Sequence, residues 1–278
     1  MGFRSSTKPE VPVINFSIEN LRPKSTKWVE TCTHVRAALE EYGCFLAEYE
    51  NDVEQEVELD DAIFNGLEKL FDLPLQTKMK NVSDKPYHGF LDHRAPFVLP
   101  LHESFGIENA ASFEGVESFV KLIQDLFAYT KMVSEMEKLV KRMVFESYGV
   151  GKYYDSHIAS TTYLLRGMKY RIPEMGEQNI GAEAHTDKSF FTILHQNGAW
   201  SNGRIHSATH RVIIEGSKER YSTALFSYHK GVIEIPDELV DEQFPLKFNP
   251  FNHYGLLGYF SKEECEKTPS TAGAYCGV

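Results

Sequence analysis

The apolar residues change their spacing near residue 160, and that change restricts the fold more than any other feature of the sequence. Before it the spacing is helical. Trp28, Cys32, Val35, Leu39 and Tyr42 recur every three or four residues, with Ser25 and Thr26 ahead of them as caps and Gly43 behind them as a stop. Val57, Ile63, Leu67, Leu70 and Phe71 form a second stripe that Pro74 ends. A third helical region runs from about 116 to 148, with Met132, Met136, Leu139, Met143 and Val144 on one face and Gly149 as its stop. A methionine-rich face at this spacing predicts core packing. Residues 11–16 and 44–49 read as strands. Residues 85–114 are rich in Pro, Gly, His and Phe without clear period, which predicts a long ordered loop of the kind that contacts substrates.

After residue 160 the pattern becomes that of strands. Residues 160–171, 182–186, 190–196, 204–214, 221–228 and 232–235 are rich in Thr, Ile, Phe, Tyr and Val, and Gly, Asn, Pro and Lys separate them. Asn202-Gly203 suits a two-residue hairpin turn. Short strands in series predict a sandwich or barrel, so the fold class is mixed α and β: a helical and strand region over 1–115, then a helix and a β core over 116–278. No internal repeat or low-complexity segment interrupts either.

Composition narrows the function. The 278 residues are 42% hydrophobic and 25% charged, within the globular range. The formal charge of -11 repels phosphate backbones, so no nucleic-acid partner is expected. No apolar run reaches the roughly 20 residues of a membrane span, and no membrane association is expected. Cys32, Cys44, Cys265 and Cys276 form no C-x-x-C pair, which argues against a thiolate zinc site and fits a reducing, cytoplasmic location. Gly2 and Ser6 match the myristoylation pattern only in outline, and a plain leader is the expected reading.

The chemistry resides in three short patterns. His185 and Asp187 form an H-x-D triplet, whose side chains share one face if the segment is a strand. Alone it is a common accident. His210, in a strand-like run, completes two histidines and a carboxylate, a set that leaves three positions open on a non-haem iron. Arg220 and Ser222 form an R-x-S triplet, a guanidinium fork and a hydroxyl able to grip a carboxylate. In order, the three are far more specific than any one. His195 and His206 fall in predicted strands and are expected to be structural. His229 is expected at a surface turn.

The sequence resembles the plant 2-oxoglutarate- and Fe(II)-dependent dioxygenases over nearly its whole length. The resemblance runs from Val11-Pro12-Val13-Ile14 and Glu41-Tyr42-Gly43-Cys44-Phe45, through the segment ending in His185-Thr186-Asp187, to His210-Arg211-Val212 and Arg220-Tyr221-Ser222. The stretches Lys85-Pro86-Tyr87-His88-Gly89 and Ala274-Tyr275-Cys276-Gly277 look like the branch that modifies glucosinolate side chains, with the auxin-oxidising branch as a second possibility. The resemblance implies an isopenicillin N synthase-like fold with a double-stranded β-helix, or jelly-roll, core. It implies Fe(II) on His185, Asp187 and His210, and 2-oxoglutarate held by Arg220, Ser222 and the hydroxyl of Tyr170. It also implies O2 as oxidant and hydroxylation or desaturation of a small plant metabolite. Met168 stands where the family has Asn. Phe226 is a candidate pocket wall or a core aromatic, and His88 a candidate substrate contact.

One departure from the family pattern is large. Only 22 residues separate Asp187 from His210, where the family places four strands between the second, carrying H-x-D, and the seventh, carrying the distal His. At about 5–6 residues a strand, the interval cannot hold the fourth and fifth. The core is expected to be shortened near 197–200, uncovering a strand edge open to self-association in an otherwise monomeric chain. Two readings follow: a working oxygenase, or a non-catalytic shortened form that binds only a metal or a partner.

Overall fold

The computed structural model describes residues 11–49, 63–95, 100–108, 124–193, 201, 204–205, 207–260 and 271–278. The lipidation pattern at Gly2, Val57, His195, His206, Cys265 and the Asn202-Gly203 turn lie outside the described residues.

The first half packs helices against two short sheets. β1 (Val13–Phe16) pairs in parallel with β2 (Leu46–Tyr49). Between them runs α1 (Thr26–Glu41). The Ser25 hydroxyl accepts from the Trp28 N–H at 3.0 Å, capping its first turn. Gly43, at φ 73°, takes the left-handed conformation that lets the chain leave it. Trp28, Cys32, Val35 and Leu39 are all buried, as the stripe predicts. α2 (63–71) and the short α3 (Leu75–Lys78) follow. α4 (Gln124–Ser147) is the long third helix, and the Trp28 indole donates to Glu146 on it at 2.7 Å. Met143 and Val144 are core residues there.

The interval predicted as a loop contains strands. β3 (Gly89–Leu91) and β4 (His102–Glu108) form an antiparallel pair. β4 in turn pairs along its full length with β5 (Thr161–Tyr170), which follows the short α5 (Tyr154–Ala159). Beyond β5 come β6 (Ile180–His185), β7 (Phe191–Thr192), β8 (His210–Ile213), β9 (Arg220–His229), β10 (Val232–Ile233) and β11 (Phe251–Asn252). β8 and β10 are shorter than the sequence pattern suggests, and residues 194–196 of the run that contains β7 lie outside the described residues. α6 (His253–Phe260) and α7 (Thr271–Cys276) complete the described elements, and no helix is long and apolar enough to cross a membrane.

The main sheet has the order β3-β4-β5-β9-β7. β5 and β9 pair antiparallel over ten residues, from Thr161 opposite His229 to Tyr170 opposite Arg220. Its outer face carries Phe105, Ile107, Leu165 and Leu225, which pack on Ile63, Leu67 and Phe71 of α2. Gly167, on the same face, admits the Leu67 side chain where a Cβ would lie 2.6 Å from it. The opposite face carries Ser104, Arg166, Met168, Tyr170, Arg220, Ser222 and Phe226, because register partners and alternate residues share a side. A second sheet consists, among the described residues, of β6 and β8 alone.

His229 is not the surface turn residue expected. It is half-buried, its N–H donates to His253 Nδ1 at 3.1 Å, and its ring lies 5.0 Å from that of buried His157. Burial pushes the His253 pKa down to about 4 and that of His157 down to about 2. Both are therefore neutral in the folded chain at pH 5, while unfolded histidine protonates below about 6.5. The stability these two histidines contribute is complete above pH 7 and falls as the pH drops below 6.5, since the unfolded state binds the extra protons. The melting temperature is expected to fall from pH 7 to pH 5, and His253→Gln should flatten part of that slope in a pH series of melts.

Candidate metal centre and its surroundings

The two histidines meet because β6 and β8 pair antiparallel with His185 opposite His210. Register shifts on either side of Ala182 twist the end of this pair, and the two rings sit 4.3 Å apart. Asp187 is not on the strand as the H-x-D reading assumed. β6 ends at His185, and Asp187 lies in the irregular segment that follows. That segment brings its Oδ1 within 3.6 Å of His185 Nε2 and 3.9 Å of His210 Nε2. One ligand atom from each residue lies within 4.8 Å of the others, close enough to share an ion.

The surroundings fix how these groups point. His185 Nδ1–H donates to the Glu183 carbonyl at 2.7 Å, and His210 Nδ1–H to the Ala208 carbonyl at 3.3 Å. With the proton on Nδ1, each Nε2 lone pair faces Asp187, as metal ligation requires. The Asp187 carboxylate beside it holds the His185 pKa above its ordinary value, so a divalent cation would replace a shared proton there. The other oxygen of Asp187 accepts from the Thr192 hydroxyl at 2.9 Å, and that hydroxyl also meets Ser189 Oγ at 2.6 Å. Thr192 and Ser189 are both buried. His253 adds an outer support: its Nε2–H donates to the Lys188 carbonyl at 2.8 Å, next to Asp187. The donor set, two imidazoles and one carboxylate with fixed orientation, fits Fe(II).

The R-x-S pair lies on β9 with Tyr170 directly opposite Arg220 and Met168 opposite Ser222. The Arg220 guanidinium sits 5.3 Å from the centre of the Tyr170 ring. Its positive charge opposes the rise that burial causes in the Tyr170 pKa. Arg220 forms no ion pair with a carboxylate among the described residues. Met168 is not inert: the Tyr170 hydroxyl donates to its sulfur at 3.7 Å. The structure thus gathers Arg220, Ser222 and Tyr170 on one face of the sheet.

Phe226 stands on that same face and packs with Tyr87, Leu164, Tyr228, Tyr254 and Leu257. His88 is buried beside it, its Nδ1–H donating to the Pro86 carbonyl at 2.8 Å and its ring 5.7 Å from Tyr228. Burial lowers the His88 pKa, which keeps it neutral. A cavity of about 500 Å³ lined by Trp28, Arg36, Glu40 and Glu146 lies elsewhere, against α1 and α4. Thr192, Ser189 and His253 escape a sequence reading. A hydroxyl two residues into a buried strand and a histidine 65 residues from its partner carry no local signal.

Residues 11–114 match the family model described as non-haem dioxygenase in morphine synthesis N-terminal. The chain is 37% identical to the Arabidopsis thaliana protein named "Probable 2-oxoglutarate-dependent dioxygenase AOP1", covering 91% of this chain and 92% of that one. A second Arabidopsis thaliana protein, "2-oxoglutarate-dependent dioxygenase AOP3", is 28% identical over 98% of each chain. The crystal structure of a dioxygenase for auxin oxidation from rice superposes with a TM-score of 0.73 at 22% identity, covering 97% of this chain and all of the other. The fold expected from the sequence is therefore that of the 2-oxoglutarate- and Fe(II)-dependent oxygenases. The identity and coverage settle the family, and this chain belongs to the plant 2-oxoglutarate-dependent dioxygenases.

Proposed function

We propose that the chain binds Fe(II) on His185, Asp187 and His210 and uses 2-oxoglutarate and O2 to hydroxylate or desaturate a small plant specialised metabolite. The observation that carries this reading is the pairing of two sites. Three ligand atoms converge within 4.8 Å, and an arginine without a carboxylate partner among the described residues stands on the sheet face that carries Tyr170 and Ser222.

Fe(II) bound there would supply the activation of O2, coupled to loss of CO2 from 2-oxoglutarate. The residues themselves position and desolvate. Arg220 and Ser222 take the distal carboxylate of 2-oxoglutarate, with Tyr170 hydroxyl beside them. Thr192 holds Asp187 with one oxygen turned to the metal. Phe226 and the aromatic residues around it form an apolar wall that limits water. Free thiols at Cys32, Cys44 and Cys276 suit a reducing, cytoplasmic setting.

A second reading has support of its own. Among the described residues β8 pairs only with β6, and the His185 side chain is 43% exposed. The match to the 37% identical relative runs over 304 positions, more than the 278 residues of this chain, so that relative carries residues with no counterpart here. A core without its fourth and fifth strands would leave a strand edge free for a partner or a second copy, and would admit water to the metal. Such a chain would bind metal without turnover.

Succinate formation separates the two. With Fe(II), 2-oxoglutarate and O2, a working oxygenase yields succinate above a His185→Ala control across a panel of candidate substrates. Absence of any excess leaves the non-catalytic form. The metal site can be tested without turnover: Thr192→Val should weaken Mn(II) binding roughly tenfold in calorimetry, with an unchanged circular dichroism spectrum. Arg220→Gln should weaken 2-oxoglutarate binding to the Mn(II)-loaded protein while leaving Mn(II) affinity unaltered.

A further inference from the structure

Arg166 stands at the middle of β5, on the face that carries Tyr170, Arg220, Ser222 and Phe226. Two of its nitrogens have partners, both uncharged. Nη1 donates to the Tyr87 carbonyl at 3.0 Å, and Nη2 donates to the hydroxyl of buried Ser104. Its Nε is shielded from solvent and has no acceptor among the described residues. No carboxylate pairs with it among the described residues. A guanidinium does not lose its proton, so this is a lasting positive charge in a poorly solvated place. Such charges are costly to leave unpaired.

The carboxylate whose field acts most strongly on Arg166 is that of Asp187. Under the proposed function that charge belongs to the metal. Fe(II), Asp187 and Arg220 then carry a net double positive charge, which dianionic 2-oxoglutarate cancels. Arg166 is left over. The wall next to it is apolar: Leu164, Phe226, Tyr228 and Tyr87 form one cluster. Tyr87 itself sits at φ 64°, a left-handed conformation uncommon outside glycine. Gly89, at φ 79°, turns so tightly that a Cβ would meet the Asn81 carbonyl at 2.8 Å. These two backbone conformations lay Tyr87 and His88 over the sheet face with the Tyr87 carbonyl turned to Arg166.

We propose that Arg166 anchors the substrate through an anionic oxyacid group, a carboxylate or sulfonate, so that the pocket selects an apolar body with a negative end. The inference rests on the function proposed above and names its substrate class. The competing role is a clamp that only holds the Tyr87 carbonyl, and a clamp would not distinguish anions from amides.

The test uses the full chain loaded with Mn(II) and 2-oxoglutarate, which does not turn over. 3-Phenylpropionate and 3-phenylpropane-1-sulfonate are titrated beside the neutral 3-phenylpropionamide, by calorimetry and by melting shift. The anions should bind at least about tenfold more tightly than the amide, the factor expected of a charge-assisted pair. Arg166→Gln should abolish that preference, and Arg166→Lys should keep part of it. Both should retain the wild-type affinity for 2-oxoglutarate. Equal affinity for anion and amide in the wild-type protein, or no binding of either anion, overturns the proposal even if Arg166→Gln fails to fold. So does a preference that survives Arg166→Gln. Loss of 2-oxoglutarate binding in Arg166→Gln but not in Arg220→Gln would make Arg166 the co-substrate's anchor instead. Failure of wild-type protein to bind 2-oxoglutarate is a different result: it rejects the underlying function.

Discussion

The ten-residue pairing of β5 with β9 is the constraint on which the rest depends. It sets Tyr170 opposite Arg220 and Met168 opposite Ser222, which makes the proposed 2-oxoglutarate site from two strands 50 residues apart in sequence. It sets Leu164 opposite Phe226, which begins the aromatic wall. β9 also carries β7, with Thr192 opposite Phe226, so the hydroxyl that orients Asp187 is fixed by the same ladder. A one-residue slip would turn every one of these side chains to the α2 side of the sheet. Register therefore specifies the site as much as residue identity does.

The two faces of that sheet obey different rules. The outer face is apolar and close-packed at its centre, with Phe105 wedged between Phe71 and Phe90, and its charged residues Glu103 and Lys169 each have an ion-pair partner. The inner face carries arginines, hydroxyls and a methionine beside aromatics. Charged groups there are held by directed hydrogen bonds, as Arg166 is by the Tyr87 carbonyl and the Ser104 hydroxyl. Arg166 and Ser104 illustrate this: they meet across adjacent strands, and neither would be stable in the packed face behind them. The strand that looks half wrong for a core is right for a site.

This division explains what the sequence reveals and what it hides. The helical stripe of α1, its Ser25 cap and its Gly43 stop are local, and they appear as read. His185, Asp187 and His210 are recognisable because their order and spacing form a pattern. The placement of Asp187 past the strand end is not, since an extended segment beyond a strand still brings alternate residues near one another. β4 is missed for a physical reason. Its inner positions are His102, Ser104 and Gly106, residues that read as loop, and only Phe105 and Ile107 betray the period of two. Arg166 and Thr192 acquire meaning only from the register that places them. A lone arginine in an apolar strand has no local signature.

His253 uses both ring nitrogens for backbone. One accepts from the His229 N–H and the other donates to the Lys188 carbonyl, 65 residues earlier in the chain. The order of synthesis follows from this. All three ligands leave the ribosome before residue 253 does, and until then the segment that carries Asp187 lacks one of its holds. The candidate metal centre thus matures late, once the first residue of α6 has been made, and a chain stopped short of His253 would keep every candidate ligand yet lose part of the frame that aims them.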